Sequence, residues 1–130
     1  MKQLLAFIKM VRLLYTTFFI AQDEREFFPI IELGPYNETD STYSLVYLSV
    51  GNHPQHIHDD SDAEFYFHSG KGVIIVGTEK KEIPFSTGTV FKVSRKIPHG
   101  FRVEKEGIFM AWQSKAITNP NNGNRDVRYL

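Results

Sequence analysis

The chain has 130 residues, 42% of them hydrophobic and 14% aromatic, which suits one globular domain with a real core and excludes a disordered chain. Fifteen basic and fifteen acidic residues give a formal charge of zero, and the basic ones are scattered. No nucleic-acid partner is therefore expected, since such binding needs a concentrated basic surface. There is no cysteine, so disulfides and thiolate chemistry are excluded, and a metal would have to be held by His, Asp or Glu.

Residues 1–22, MKQLLAFIKMVRLLYTTFFIAQ, open the chain with an apolar segment. Lys9 and Arg12 interrupt what would be the core of a signal peptide, no A-x-A-like site follows, and the same charges disfavour a membrane span. At helical spacing Lys2, Lys9, Arg12 and Thr16 share one stripe, with apolar residues elsewhere. The segment reads as a helix with a wide apolar face, packed on the body of the protein or on a partner subunit. The alternatives are a targeting segment and a membrane-surface helix. A cytoplasmic protein with no membrane partner is expected.

Beyond QDERE, the stretches FFPIIEL and STYSLVYLSVG read as strands around the turn-rich GPYNETD. A His-rich loop follows, then AEFYFHS, the hairpin turn GKG and VIIVG. PFSTG, TVFKVS, FRVEK and GIFMAWQS complete the series, and no second helical pattern is convincing. Short strands with turns about every ten residues predict an antiparallel sandwich or barrel. The last residues, 116–130, are polar and are expected to run along the surface, with Val127, Tyr129 and Leu130 as possible anchors. In GIFMAWQS, Phe109, Ala111 and Gln113 share one face. Tyr43, Tyr47, Phe65, Phe67, Phe91 and Trp112 are candidates for the interior.

The segment NHPQHIHDD concentrates three of the five histidines. His56 and His58 are i and i+2, and on an extended segment both imidazoles face one way. A carboxylate just beyond can join them; Glu64 stands there, with Asp60 and Asp62 as rivals. His53, His68 and His99 are the other histidines, and His99 follows a proline in IPHG. Such a donor set suits Fe(II), Mn(II), Ni(II), Zn or Cu(II). The opposing reading is a solvated cluster in a polar loop. His53, before Pro54, reads as a loop residue. His68 alternates with Glu64 and Tyr66, so it points wherever Glu64 does.

Together these residues resemble the cupin superfamily across residues 40–115. That family's first motif is G, five residues, H-x-H, three or four residues, E, six residues, G. Here Gly51, four residues, His56-Ile57-His58, five residues, Glu64, five residues and Gly70 stand in that order. The second motif is G, five residues, P-x-G, two residues, H, three residues, N. Gly88 and His99 keep its separation, while Ser94, Lys96 and Val103 replace the Pro, Gly and Asn.

The resemblance implies an all-β antiparallel barrel or jelly roll with the N-terminal helix appended, forming a single domain. It also implies a homodimer and one divalent transition metal on His56, His58, Glu64 and His99. It implies a metal-dependent enzyme acting on a small organic molecule, of dioxygenase, isomerase, decarboxylase or lyase type. A sensor or binding module and a metal-free, epimerase-like cupin are the alternatives. His68, Tyr66 and Tyr47 are the candidates for proton transfer. One slip matters: aligning GKG with the family's turn puts Ala63, not Glu64, at the glutamate position. A bulge in DDSDA or a shorter hairpin restores Glu64 inward, which is the expectation; otherwise three histidines with Asp62 or water make the site.

Overall fold

The structure is a computed structural model, and it describes residues 19–22, 29–33, 41–119 and 121–130. The strands are β1 (Phe19–Gln22), β2 (Pro29–Leu33), β3 (Thr42–Leu48), β4 (Gly51–Ile57), β5 (Ala63–Phe67) and β6 (Lys71–Val76). They continue as β7 (Lys81–Phe85), β8 (Val90–Val93), β9 (His99–Lys105), β10 (Gly107–Gln113) and β11 (Arg128–Tyr129). One six-stranded sheet runs β1-β2-β3-β10-β5-β8 and one five-stranded sheet β11-β4-β9-β6-β7, with every pairing antiparallel. Among the described residues no helix is long and apolar enough to cross a membrane.

The expected all-β architecture is observed. The expected helix over residues 1–22 is corrected at its end: Phe19–Gln22 form β1, paired with β2. Aromatic and β-branched residues there serve a strand as well as a helix, and pairing decides. Residues 1–18 lie outside the described residues.

Period-two alternation builds the core. Ala63, Phe65 and Phe67 of β5 face inward, as do Phe109 and Ala111 of β10, Val46 and Leu48 of β3, and Phe101 and Val103 of β9. Phe65, Phe67, Phe85, Phe101 and Phe109 form one aromatic cluster, with Phe67 and Phe85 stacked at 4.4 Å and 17°. Tyr43 and Trp112 are cross-strand partners, and Tyr47 faces Ile108 in the same pairing. These three sit in the opposite phase from the core residues, which corrects their placement in the interior.

Strands β5 and β6 belong to different sheets, so the GKG segment is a corner between sheets rather than a hairpin turn. Gly70 occupies φ +99° there, and a Cβ would lie 2.8 Å from the Cα of Gly107. Strand follows strand across the sandwich at β3–β4 and β9–β10 in the same way. The last residues do more than run along the surface: Ala116 and Ile117 are buried, and β11 pairs with β4 as Arg128↔Ile57 and Tyr129↔His56.

Candidate metal centre

Register brings the histidines together. The segment expected as a His-rich loop is strand β4, bulged between His53 and His56, where Pro54 supplies no N–H to the ladder. Beyond the bulge, His56 stands directly opposite His99 on β9, and His58 follows on the same side two residues on. Gly100 makes this possible: a Cβ on it would lie 2.7 Å from the His53 carbonyl oxygen and 2.9 Å from the Gln55 nitrogen. The bulged backbone therefore presses directly on residue 100.

The three rings form a compact group. Ring centroids are 5.0 Å apart for His56 and His58, 4.4 Å for His56 and His99, and 5.2 Å for His58 and His99. One ligand nitrogen from each lies within 4.8 Å of the others. His56 and His99 are buried and His58 is half-buried. The Phe65 ring lies 5.7 Å from that of His99.

Backbone carbonyls orient the imidazoles. Nδ1 of His58 donates to the Asp126 carbonyl at 2.6 Å, and Nδ1 of His99 to the Ile97 carbonyl at 3.0 Å. The Pro54 carbonyl interacts with the His56 ring. A proton on Nδ1 leaves Nε2 as a lone pair, the tautomer a metal ligand requires. Nε2 of His99 is buried with no hydrogen-bond partner among the described residues. A lone pair held there is otherwise unfavourable, and an ion would satisfy it. The residues therefore fit a divalent transition metal held by three imidazoles.

Burial, more than any other cause, holds all three below the ordinary histidine range. His56 is pushed well below it, first by burial and then by His99 and His58. His99 falls to about 3 from burial and the neighbouring His58. Burial also lowers His58, partly opposed by the Asp126 carbonyl. All three are neutral at neutral pH and ready to ligate.

Glu64 does not join them, which corrects the four-ligand expectation. Ala63 is the inward residue of β5, and Glu64 points to the opposite face of the sheet. There its Oε2 accepts from the Tyr66 hydroxyl at 2.6 Å, and its Oε1 lies 3.1 Å from Lys92 Nζ. Tyr66, then Lys92, hold its carboxyl below the usual carboxylate range. Neither a bulge nor a shortened hairpin restores it, because residues 63–67 pair without interruption with β10 and residues 63–66 with β8. Asp62 is engaged elsewhere, accepting from the backbone N–H, Nε and Nη2 of Arg95.

The proton-transfer candidates also lie away from the histidines. Tyr66 and His68 are exposed, on the outer face with Glu64. Tyr47 is buried on the outer side of β3, and its hydroxyl donates to Glu106, which raises its pKa. His53, expected in a loop, is a buried residue of β4 whose Nε2 donates to the Ser49 carbonyl at 2.8 Å.

A cavity of about 50 Å³ adjoins the histidines. Phe65, Phe101 and Phe109 give it apolar walls, and Ser44, Gln113, Arg125 and Tyr129 bring polar groups. The Ser44 hydroxyl donates to Oε1 of Gln113 at 3.1 Å. Gln113 was legible as the one polar residue on an otherwise apolar inward face. Arg125 and Tyr129 had no such signal, because a long-range strand pairing brings the tail to the cavity.

Residues 45–112 match the model of the cupin domain family. The fold is similar to that of an RmlC-like cupin from Shewanella frigidimarina, at TM-score 0.63 and 19% identity over 77% of this chain and 86% of that one. It is also similar to the Fe(II) form of HppE, at TM-score 0.65 and 14% identity over 74% of this chain and 55% of that one. The capsular polysaccharide assembling protein CapF from Staphylococcus aureus matches at TM-score 0.62 and 17% identity. That likeness covers 88% of this chain but 32% of CapF. No curated protein sequence matches the chain. At these identities the likenesses to solved structures are likenesses of fold. The match to the domain model takes in more than half of the chain, and the chain belongs to the cupin family.

Proposed function

We propose that this cupin is a metal-dependent enzyme acting on a small organic molecule, with His56, His58 and His99 as the protein ligands. The observation that carries the reading is the oriented, neutral histidine triad, two of its members buried and one half-buried, beside a cavity. An ion held by three protein ligands keeps open positions, where it would polarise a carbonyl, carboxylate or hydroxyl of the substrate. The chain's own residues do the rest. Carbonyls of Ile97 and Asp126 fix the ring tautomers. Phe65 and Phe109 exclude water from the walls, and Ser44 and Gln113 offer neutral hydrogen-bonding groups to a substrate. Tyr129 lines the cavity with its ring 5.8 Å from that of His56, and its phenol would hold or move a proton.

The metal-free alternative draws no support from the site, since among the described residues no carboxylate figures among the groups acting on His56 or His99. The proposal extends to a homodimer, because Tyr43, Tyr66 and Met110 are exposed on the outer face of the six-stranded sheet. Turnover is the test. Protein loaded with Fe(II), Mn(II) or Ni(II) would be incubated with mixtures of small organic acids, alcohols and ketones and followed by proton NMR, beside His56→Ala. Consumption by the wild type alone supports an enzyme. Metal binding without turnover of any member would leave a binding module as the better reading.

A further inference from the structure

We propose that Arg125 makes this an anion site, anchoring the carboxylate of a ligand of a few non-hydrogen atoms whose other end meets the histidine centre. The inference rests on the metal-centre reading and narrows its substrate class.

Size comes first. A cavity of about 50 Å³ holds a few water-sized groups and no more, which excludes a nucleotide or an oligosaccharide from the space beside the histidines. Charge comes second. Arg125 lines this cavity with His56 and His58, and among the described residues no Asp or Glu lines it. A bound divalent ion would add to that positive charge. An arginine answers a carboxylate with a planar fork of donors, and Ser44 and Gln113 add neutral hydrogen-bonding groups.

Placement comes third. The guanidinium stands on a tail that is tied down on both sides. Arg125 bridges to Thr118, and its Nε donates to Thr118 Oγ1 at 3.3 Å. The next residue, Asp126, donates its N–H to the Ile117 carbonyl at 2.8 Å. Its carboxylate accepts from the backbone N–H of Asp59 and Asp60, both at 2.9 Å. Arg125 and Ile117 also line a wider groove of about 260 Å³ with Lys115, Asp60 and Asp126, whose carboxylate is held by the Asp59 and Asp60 N–H groups.

Glycolate, with its neutral amide glycolamide as control, is the probe. Calorimetric titration would compare wild type, Arg125→Gln and Arg125→Lys, each metal-free and loaded with Co(II). Co(II) affinity should be alike in all three, which also shows that the variants fold. Glycolate should bind the wild type at least about tenfold more tightly than glycolamide does, and Arg125→Gln should remove about that factor for glycolate alone. Arg125→Lys should retain part of it. Equal glycolate affinity in wild type and Arg125→Gln, or no glycolate binding to the wild type, overturns the proposal and leaves the metal reading standing if Co(II) binds. Failure of Co(II) to bind the wild type sinks the metal reading instead. The metal-free titrations then decide for Arg125 by the same comparison: a loss in Arg125→Gln supports it, and equal affinity overturns it.

Discussion

Replacing Gly100 with alanine tests how the fold makes the site. Gly100 does not need glycine for its φ; it needs glycine for space. The added Cβ would meet three backbone atoms, the His53 oxygen at 2.7 Å, the Gln55 nitrogen at 2.9 Å and the Pro54 carbonyl carbon at 3.0 Å. No flexible side chain can yield, so β4 and β9 must separate at the bulge. Overpacking of this kind costs about 1–3 kcal/mol, roughly 4–12 °C in Tm for a domain of this size. His56 and His99 are opposite one another on those two strands, so metal affinity should fall about tenfold or more. Urea denaturation of chelator-treated protein would read the first effect, and titration with Co(II) the second. Val50→Ala, at a position 65% exposed, is the control and should change stability by less than about 0.5 kcal/mol. Unchanged stability and unchanged metal affinity in Gly100→Ala would refute the claim that this close approach shapes the site.

Three further outcomes are expected. Glu64→Gln should leave metal affinity as in the wild type, because Glu64 faces Lys92 and Tyr66 and not the histidines; a large loss would return it to the ligand set. Metal-free protein should lose stability as pH falls below about 6.5, where the unfolded chain takes up protons that the folded triad refuses. The loss deepens down to the His99 value of about 3, and at pH 5 His99 alone accounts for roughly 2 kcal/mol. Urea midpoints that stay flat from pH 7 to 5 would contradict this. Phe101→Ala removes the ring that meets Phe109 at 5.6 Å and Phe65 at 6.1 Å, and should cost about 3–5 kcal/mol by the same denaturation. A loss below 1 kcal/mol would mean that the aromatic cluster is not the centre of the core.

Much of the fold was legible because it rests on local alternation. The pattern Ala63, Phe65, Phe67 and the pattern Phe109, Ala111, Gln113 are period-two signals that no distant contact reverses. His56-x-His58 was legible for the same reason, and His99 by its separation from Gly88. The sidedness of Glu64 was not. It depends on where β5 ends, and Gly70 makes a corner between sheets where a hairpin was expected. One residue of register inverts a strand, so Glu64, Tyr66 and His68 moved outward together. Phe19–Gln22 fit a helix stripe and a strand equally well, and pairing with β2 decides. Arg125 lies in a polar stretch with no periodicity at all. Its bridge to Thr118 and the docking of β11 on β4 bring it to the cavity, and such contacts leave no local trace.

Metal content decides whether His56, His58 and His99 hold an ion. Untagged wild-type protein, His99→Ala and His53→Ala would be purified without chelator and measured by elemental analysis, before and after reconstitution. The expected result is about one ion per chain in the wild type and in His53→Ala, and a near-complete loss in His99→Ala. No metal in the wild type after reconstitution, or equal losses in the two variants, would contradict it.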